Sequence, residues 1–202
     1  MIEMFTGIIT DIGSVTELND IGADRRIHVH TSLPANRGLK SGDSIAVNGV
    51  CLTITDFTPV GFSADISAET LRCTTFATLQ PDDAVNLEPA LISAAPMGGH
   101  MVSGHVDGVG TVESIKAEGR SYCFVFSMPE SLSRYIAVKG AITIDGVSLT
   151  VNTVNRQSFS VNIIPHTLEQ TIFKRYQPGT AVNLEVDLLA RYLERLLESR
   201  GV

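Results

Sequence analysis

Two short stretches carry most of the side chains that could do chemistry, and they are versions of each other. NGVCLT at 48–53 holds Cys51 and Thr53, and DGVSLT at 145–150 holds Ser148 and Thr150. Asn-Gly between apolar runs signals a tight hairpin, because both central turn residues need positive φ. On the strand that follows, side chains alternate between faces. Val50, Leu52 and Ile54 share the apolar face, so Cys51, Thr53 and Thr55 point away from the core. In the second copy Val147, Leu149 and Val151 point in, while Ser148, Thr150 and Asn152 point out. Taken singly, each outward residue reads as a solvated strand position. The same polar face recurring at equivalent places suggests two similar sites for two similar ligands.

The other unusual stretch is GGHMVSGHVDGVG at 98–110, whose five glycines let a backbone approach a ligand closely. His100 and His105 are five positions apart and fall on opposite faces of an extended chain, a poor pair for a metal. No metal site is expected. His105 shares its face with Ser103 and Asp107 and replaces Ile8 of the first copy. An imidazole there could move protons near neutral pH; equally, it could be a surface histidine in a Gly-rich loop. The sequence has no GxGxxG, Walker or GxSxG pattern. IIPHTL at 163–168 matches ISAETL at 66–71. Pro165 stiffens the chain before Thr167, which with Gln170 could form a helix capping box. The backbone N–H groups there either cap a helix and nothing more, or hold the carbonyl-rich edge of a heterocycle.

The elements that must position these residues follow one plan twice. A constant offset of 97 residues relates Gly7 to Gly104, Gly49 to Gly146, Phe62 to Phe159, Thr70 to Thr167, and VNLE at 85–88 to VNLE at 182–185. Each unit is near domain size, unlike a solenoid repeat. Near Gly42 and Gly140 the correspondence slips by one residue. Strands are expected at 4–18, with a bulge or bend at Gly7 and Gly13, and at 25–33, where Ile27, Val29 and Thr31 oppose His28 and His30. Further strands are expected at 45–47, 50–55, 60–66 and 84–88, with a short helix at 70–77. Residues 34–38 read as a loop and 89–99 as the link to the second copy. Many short strands with Gly-rich turns and little helix argue for an all-β fold, each unit closing into a barrel that leaves no edge. A small barrel fills its interior with side chains, so a pocket is expected outside or between the barrels.

The tail breaks the pattern. After Asp187, Leu189, Tyr192 or Leu193, Leu196 and Leu197 recur at helical spacing, with Asp187 as N-cap and Gly201 as the stop. This helix has no counterpart after Glu88. Its apolar stripe must bury, against its own barrels or against the same helix in other subunits. Subunit association is the expectation.

Bulk properties narrow the class. The chain of 202 residues is long enough for two small domains, each with its own core. Net charge is −7 and the 15 basic residues are scattered, which argues against nucleic acid or an anionic membrane as partner. Cysteines at 51, 73 and 123 form no CxxC pair and are odd in number, which points to a reducing cytoplasm. Glu3 stands where an export signal would be basic, and no apolar run is long enough to span a membrane.

Together, MFTGII at 4–9, NGVCLT at 48–53, GGHMVSGHV at 98–106, KGAITIDGVSLTVN at 139–152 and IIPHTLEQT at 163–171 resemble the riboflavin synthase α-chain family, in order and spacing, from Met4 through the terminal helix. The resemblance implies an all-β fold of two homologous six-stranded Greek-key β-barrels in tandem, at 1–97 and 98–186, plus a C-terminal α-helix at 187–202 that joins three chains as a homotrimer. It implies a transferase working without cofactor or metal. Two molecules of 6,7-dimethyl-8-ribityllumazine react, one giving a four-carbon unit to the other. The products are riboflavin and 5-amino-6-ribitylamino-uracil. The site would lie between the N-terminal barrel of one subunit and the C-terminal barrel of its neighbour.

Two like substrates need two like pockets, yet the reaction needs the pockets to behave differently. Positions that break the repeat therefore carry the catalytic expectation: Cys51 against Ser148, His105 against Ile8, and Ser44 against Ala141. His105 and Ser44 would assist proton transfer from the acidic C7 methyl of one lumazine, directly or through water. Cys51 would activate the acceptor, by hydrogen bonding or transient addition. Orientation of two bound rings could alone supply up to roughly 7–11 kcal/mol. The resemblance also implies binding positions. On the N-terminal barrel these are Gly7, Ile8, Ile9, Cys51, Leu52, Thr53, Asp65, Ile66, Ser67, Ala68, Glu69, Thr70, Gly104, His105 and Val106. On the C-terminal barrel they are Lys139, Ser148, Leu149, Thr150, Asn162, Ile163, Ile164, Pro165, His166 and Thr167. Phe5 would order the N-terminus near the site, Met1 to Glu3 would be a disordered extension, and His166 has no catalytic assignment. Two rivals stand beside the enzyme. One is a non-catalytic lumazine or flavin antenna protein, generally monomeric. The other is a flavin-binding barrel of a reductase, which would need an α/β partner domain that is not seen in this sequence.

Overall fold

The computed structural model describes residues 4–33, 38–92 and 96–199. Expectations for Met1 to Glu3, for most of the 34–38 loop, for part of the 89–99 link and for Gly201 lie outside these residues. In the first repeat, strands β1 (Asp11–Ile21), β2 (Asp24–His30), β3 (Ser44–Val47), β4 (Val50–Thr58), β5 (Gly61–Ile66) and β6 (Ala84–Pro89) close into a barrel in the order β1-β2-β5-β4-β3-β6. Helix α1 (Ala68–Cys73) and a 3-10 turn (Thr75–Thr78) connect β5 to β6. The second repeat gives β7 (Gly108–Glu118), β8 (Ser121–Ser127), β9 (Ala141–Ile144), β10 (Val147–Val154), β11 (Ser158–Ile163) and β12 (Ala181–Val186), closed in the equivalent order. Helix α2 (Pro165–Gln170) and a 3-10 turn (Ile172–Arg175) take the places of their first-repeat counterparts. Helix α3 (Leu188–Glu198) follows β12.

Alternation decides the cores. Ile27, Val29 and Thr31 are buried, while His28 is half-buried and His30 exposed. Val50, Leu52 and Ile54 fill the first barrel with Cys51 half-buried and Thr53 and Thr55 exposed, as expected. The second core is more aromatic: Phe126 stacks on Phe159 with ring centroids 5.6 Å apart, and Phe173 meets Phe124 edge-on at 5.5 Å. Both barrels turn their corners with β-bulges at matched positions, after Val15 and Val112 in the long first strands and after Ile54 and Val151 in the fourth. An extra residue bends a strand and increases its twist, which a small closed sheet requires.

Several expectations are corrected. The first strand begins only at Asp11; residues 4–10 form an arm outside the barrel, and the bulge falls at Thr16, not at Gly7 or Gly13. The repeat correspondence does not slip near Gly42. Gly42 N donates to Ile54 O at 2.9 Å and Lys139 N donates to Val151 O at 2.8 Å. Lys139 (φ 66) holds the left-handed position that Gly42 (φ 93) holds in the first barrel. The capping box of Thr167 with Gln170 does not form, because α2 starts at Pro165 and Thr167 already lies inside it. The first repeat caps α1 with Ser67, whose hydroxyl accepts from Thr70 N at 3.2 Å. The second repeat puts Ile164 at that place and relies on proline in the first turn, where no backbone N–H is missed.

The barrels meet across a pseudo-twofold axis. The turn residues Asn48 (φ 44), Gly49 (φ 75), Asp145 (φ 43) and Gly146 (φ 82) are all left-handed, as tight hairpins require. The buried Asn86 donates its amide to Asp145 O at 2.8 Å, and Asn183 donates its own to Asn48 O at 2.9 Å. Their side-chain oxygens accept from Ile172 N at 2.9 Å and Thr75 N at 2.8 Å. Phe5 and Val102, themselves repeat equivalents, bond to each other: Phe5 N to Val102 O at 2.8 Å and Val102 N to Phe5 O at 3.1 Å.

Candidate active site

Each barrel's outward polar face is completed by an arm that belongs, in sequence, to the other repeat. Cys51 N donates to Gly104 O at 2.9 Å, so the 103–107 arm lies along β4. Ser148 N donates to Gly7 O at 2.8 Å, so the 6–10 arm lies along β10. The approach is close: a Cβ on Gly104 would stand 2.6 Å from Cys51 Cβ, and one on Gly7 would stand 2.5 Å from Ser148 Cβ. Both glycines have positive φ, 77 and 75, so glycine is called for twice over.

A buried glutamate pins each arm. Glu88 accepts from Thr6 N at 2.7 Å, Thr6 Oγ1 at 2.7 Å and Gly7 N at 2.9 Å. Glu185 accepts from Ser103 N at 2.7 Å, Ser103 Oγ at 2.7 Å and Gly104 N at 3.0 Å. Burial pushes both carboxyls above the usual carboxylate range, and the hydrogen bonds from Thr6 and Ser103 pull back. A carboxylate with three short donors is the arrangement that lets a buried charge persist. These glutamates end the duplicated VNLE, whose identity in both copies was the available sequence signal for them.

The first site therefore gathers β4, the 103–107 arm, β5 and α1. Ser44, Cys51 and Thr53 lie on β3 and β4, Gly104, His105 and Val106 on the arm beside them, and Asp65, Ser67, Ala68, Glu69 and Thr70 at the β5–α1 corner. Ser44 pairs with Thr53 across β3 and β4, which puts both on the outer face that Cys51 shares. Ser44 is buried and His105 exposed. Ser103 does not share the face of His105, since its hydroxyl is turned into Glu185. Asp65 is held by Arg26 through bonds of 2.6 and 2.9 Å, and its carboxyl is lowered chiefly by that hydrogen bond. Glu69 is engaged by Arg72.

The second site gathers β10, the 6–10 arm, β11 and α2. Gly7, Ile8 and Ile9 lie here, not on the N-terminal barrel, and Ile9 packs against the second core. Ser148, Leu149, Thr150, Asn162, Ile164, Pro165, His166 and Thr167 share the region, and Lys139 is exposed at the turn before β9. Some expected contacts cannot be side-chain contacts. Ile66, Ile163 and Leu52 are core residues, leaving only their backbones for a ligand. Phe5 is fully buried with Ala46 and Val102, with Cys51 packed on the cluster, so it supports the site from behind.

One residue has more to do than the sequence disclosed. His100 Nδ1 lies 2.7 Å from Ser148 Oγ, and its Nε2 lies 3.3 Å from Thr143 Oγ1. Burial depresses its pKa, with Asp187 opposing, so the ring is kept toward its neutral form. His100 thus stands beside Ser148 of the second barrel, and His105 follows the Gly104 that bonds to Cys51 of the first. The first polar face carries a thiol, with an exposed histidine on its arm; the second carries a hydroxyl bonded to a shielded imidazole. Two cradles built alike differ in their acid–base groups, which is what a reaction between two copies of one molecule needs.

Fold and paired sites define a tandem-barrel protein with two matched polar faces, each closed by an arm of the other repeat. The family model for the lumazine binding domain matches residues 6–90 and again residues 103–187. The riboflavin synthase of Photobacterium phosphoreum is 43% identical over 194 residues, covering 96% of this chain and 89% of its own. That of Mycobacterium bovis is 43% identical, covering 98% of this chain and 100% of its own, and that of Bacillus subtilis is 38% identical over 96% and 90%. This chain belongs to the riboflavin synthase family. Among solved structures, LumP complexed with riboflavin superposes with a TM-score of 0.83 at 24% identity, covering 91% of this chain and 99% of that one. LumP complexed with 6,7-dimethyl-8-(1'-D-ribityl) lumazine gives 0.81 at 23%. At that identity the likeness concerns the fold.

Proposed function

We propose that the protein is a riboflavin synthase, a transferase that dismutates two 6,7-dimethyl-8-ribityllumazine molecules into riboflavin and 5-amino-6-ribitylamino-uracil. The carrying observation is a pair of matched sites, finished by exchanged arms, in a chain of this family. One lumazine loses a proton from its C7 methyl, whose carbanion delocalises into the ring. The other accepts attack, and a four-carbon unit passes between them. His105 and Ser44 on the N-terminal barrel move the proton, and Cys51 assists the acceptor. Backbone amides and hydroxyls along β4, β10, α1 and α2 hold the pyrimidinedione edges and ribityl chains. No cofactor or metal enters this scheme.

Under this reading the chain divides into barrels at 1–97 and 98–186 and a helix at 187–202, and acts in the cytoplasm as a homotrimer. Support for assembly comes from α3. Leu189, Tyr192, Leu193 and Leu196 are 61–64% exposed, a stripe that helices of other subunits would cover. Assembly would then bring the N-terminal barrel of one subunit to the C-terminal barrel of the next.

The test is incubation of the purified protein with the lumazine alone. Riboflavin absorbance should grow until one riboflavin has formed for every two lumazines consumed. A stably bound chromophore without turnover would establish the antenna reading instead. Sedimentation should give a trimer that Leu193→Glu dissociates.

A further inference from the structure

Helix α3 lies outside the duplication, yet it touches the arm that carries the principal break in the repeat. Arg191 Nη2 donates to His105 O at 2.7 Å and to Asp107 Oδ2 at 2.7 Å. Asp107 Oδ2 also accepts from Val186 N at 2.8 Å, and Asp107 N donates to Leu184 O at 2.8 Å. The arm is therefore fixed on both sides of His105, by Glu185 before it and by Arg191 with Asp107 after it. Among the described residues, the first repeat has no such clamp. Its equivalent arm ends at Thr10, which among these residues bonds to Leu87 O, through its backbone at 2.9 Å and its hydroxyl at 3.0 Å.

The guanidinium comes at a cost to packing. The Arg191 side chain is 29% exposed, yet its Nε is buried and, among the described residues, is the one buried side-chain nitrogen or oxygen without a partner. An apolar side chain of similar reach would avoid that cost. What it could not do is bridge a carbonyl and a carboxylate from one planar nitrogen. Helix α3 is moored separately at Glu194, which accepts from Arg134 Nη1 at 2.8 Å and from the Tyr135 hydroxyl. The Arg191 bonds are thus separable from the anchoring of the helix.

We propose that Arg191 is a positioning residue for His105, so that the helix carrying the exposed stripe also sets the imidazole of the first site. The proposal rests on the synthase reading for its kinetic arm alone. Freeing an arm by an ångström can cost on the order of 10²-fold in rate.

The experiment compares Arg191→Met, Arg191→Lys and Glu194→Gln in the full-length protein. Readouts are kcat and KM with the lumazine, sedimentation, and the His105 ring signal in carbon–proton NMR, assigned with His105→Gln. Arg191→Met should lower kcat at least about tenfold, leave KM within about threefold, remain trimeric, and shift and broaden the His105 signal. Arg191→Lys, which keeps the charge and can reach one acceptor, should recover part of the loss. Glu194→Gln should keep kcat and the His105 signal. Wild-type kcat and an unchanged ring signal in Arg191→Met would overturn the proposal. So would losses in Arg191→Met and Glu194→Gln that both follow trimer dissociation. If wild type binds the lumazine without converting it, the synthase reading fails, and the His105 signal alone still decides the role of Arg191.

Discussion

A Cβ on Gly49 would stand 2.6 Å from the backbone nitrogen of Gly146, and one on Gly146 would stand 2.9 Å from that of Gly49. The two repeat-equivalent glycines are thus in backbone contact across the pseudo-twofold axis, each at positive φ. Gly49→Ala should destabilise the protein by about 3 kcal/mol or more, since backbone cannot yield as a side chain can. Gly22→Ala is the control. Gly22 shares the left-handed backbone (φ 65) with nothing within 4 Å, so it should lose only about 1–2 kcal/mol. Urea unfolding midpoints measure both.

Glu185→Gln should cost about 1–3 kcal/mol, because the amide turns a donor toward an N–H and leaves it unsatisfied. Glu88→Gln should cost a similar amount, the two glutamates having matched partners. Calorimetric titration with the lumazine should separate them by site. Glu185→Gln loosens the arm over Cys51, Glu88→Gln loosens the arm over Ser148, and each should weaken one class of site and spare the other.

How far the chain itself disclosed this architecture depends on the range of the interaction. The hairpins at Asn48-Gly49 and Asp145-Gly146 were legible because a left-handed turn is a local demand on residue type. The inward run of Val50, Leu52 and Ile54 was legible because strand alternation is local too. So was the stripe on α3. The exchange of arms was not, since nothing near Gly7 says that its carbonyl meets Ser148 and not Cys51. The Ser148–His100 contact was hidden for the same reason, its partners being 48 positions apart. The first turn of α2 was misread because Thr167 looks like a cap until Pro165 is given its place in the helix.

Asp145 stands where the first repeat has Asn48, and Tyr176 where it has Leu79. Asp145 accepts from Asn183 N at 2.8 Å and from the Tyr176 hydroxyl. Burial pushes its carboxyl up to about 7, from roughly 3.9 in an unfolded chain. A raised acid favours the protonated folded state. The stabilisation is complete below about pH 4, is lost as pH rises toward about 7, and is flat above. Asp145→Asn should remove that component, on the order of a few kcal/mol. The variant should therefore gain on wild type as pH goes from 5 to 8. Urea midpoints at the two pH values read this directly.

Cys51→Ser gives the first site the residue that the second site already has. Where orientation of the two rings supplies most of the acceleration, kcat should stay within about tenfold of wild type. A fall of about 10³-fold or more, with lumazine binding intact, would assign Cys51 a covalent step. Single-turnover kinetics under saturating lumazine decide between them.

The exchanged arms have a further consequence for how such a chain could arise. A polypeptide of half the length, holding one repeat, would find its own arm reaching away from its own barrel, with nothing to close the polar face. Two such polypeptides side by side would close both faces at once, identically. Joining them end to end would keep that embrace and free the halves to drift apart, so that a thiol and one histidine could settle on one face while a serine and a different histidine stood on the other. Asymmetry here is a liberty granted by fusion, and a pair of separate, identical halves could never have acquired it.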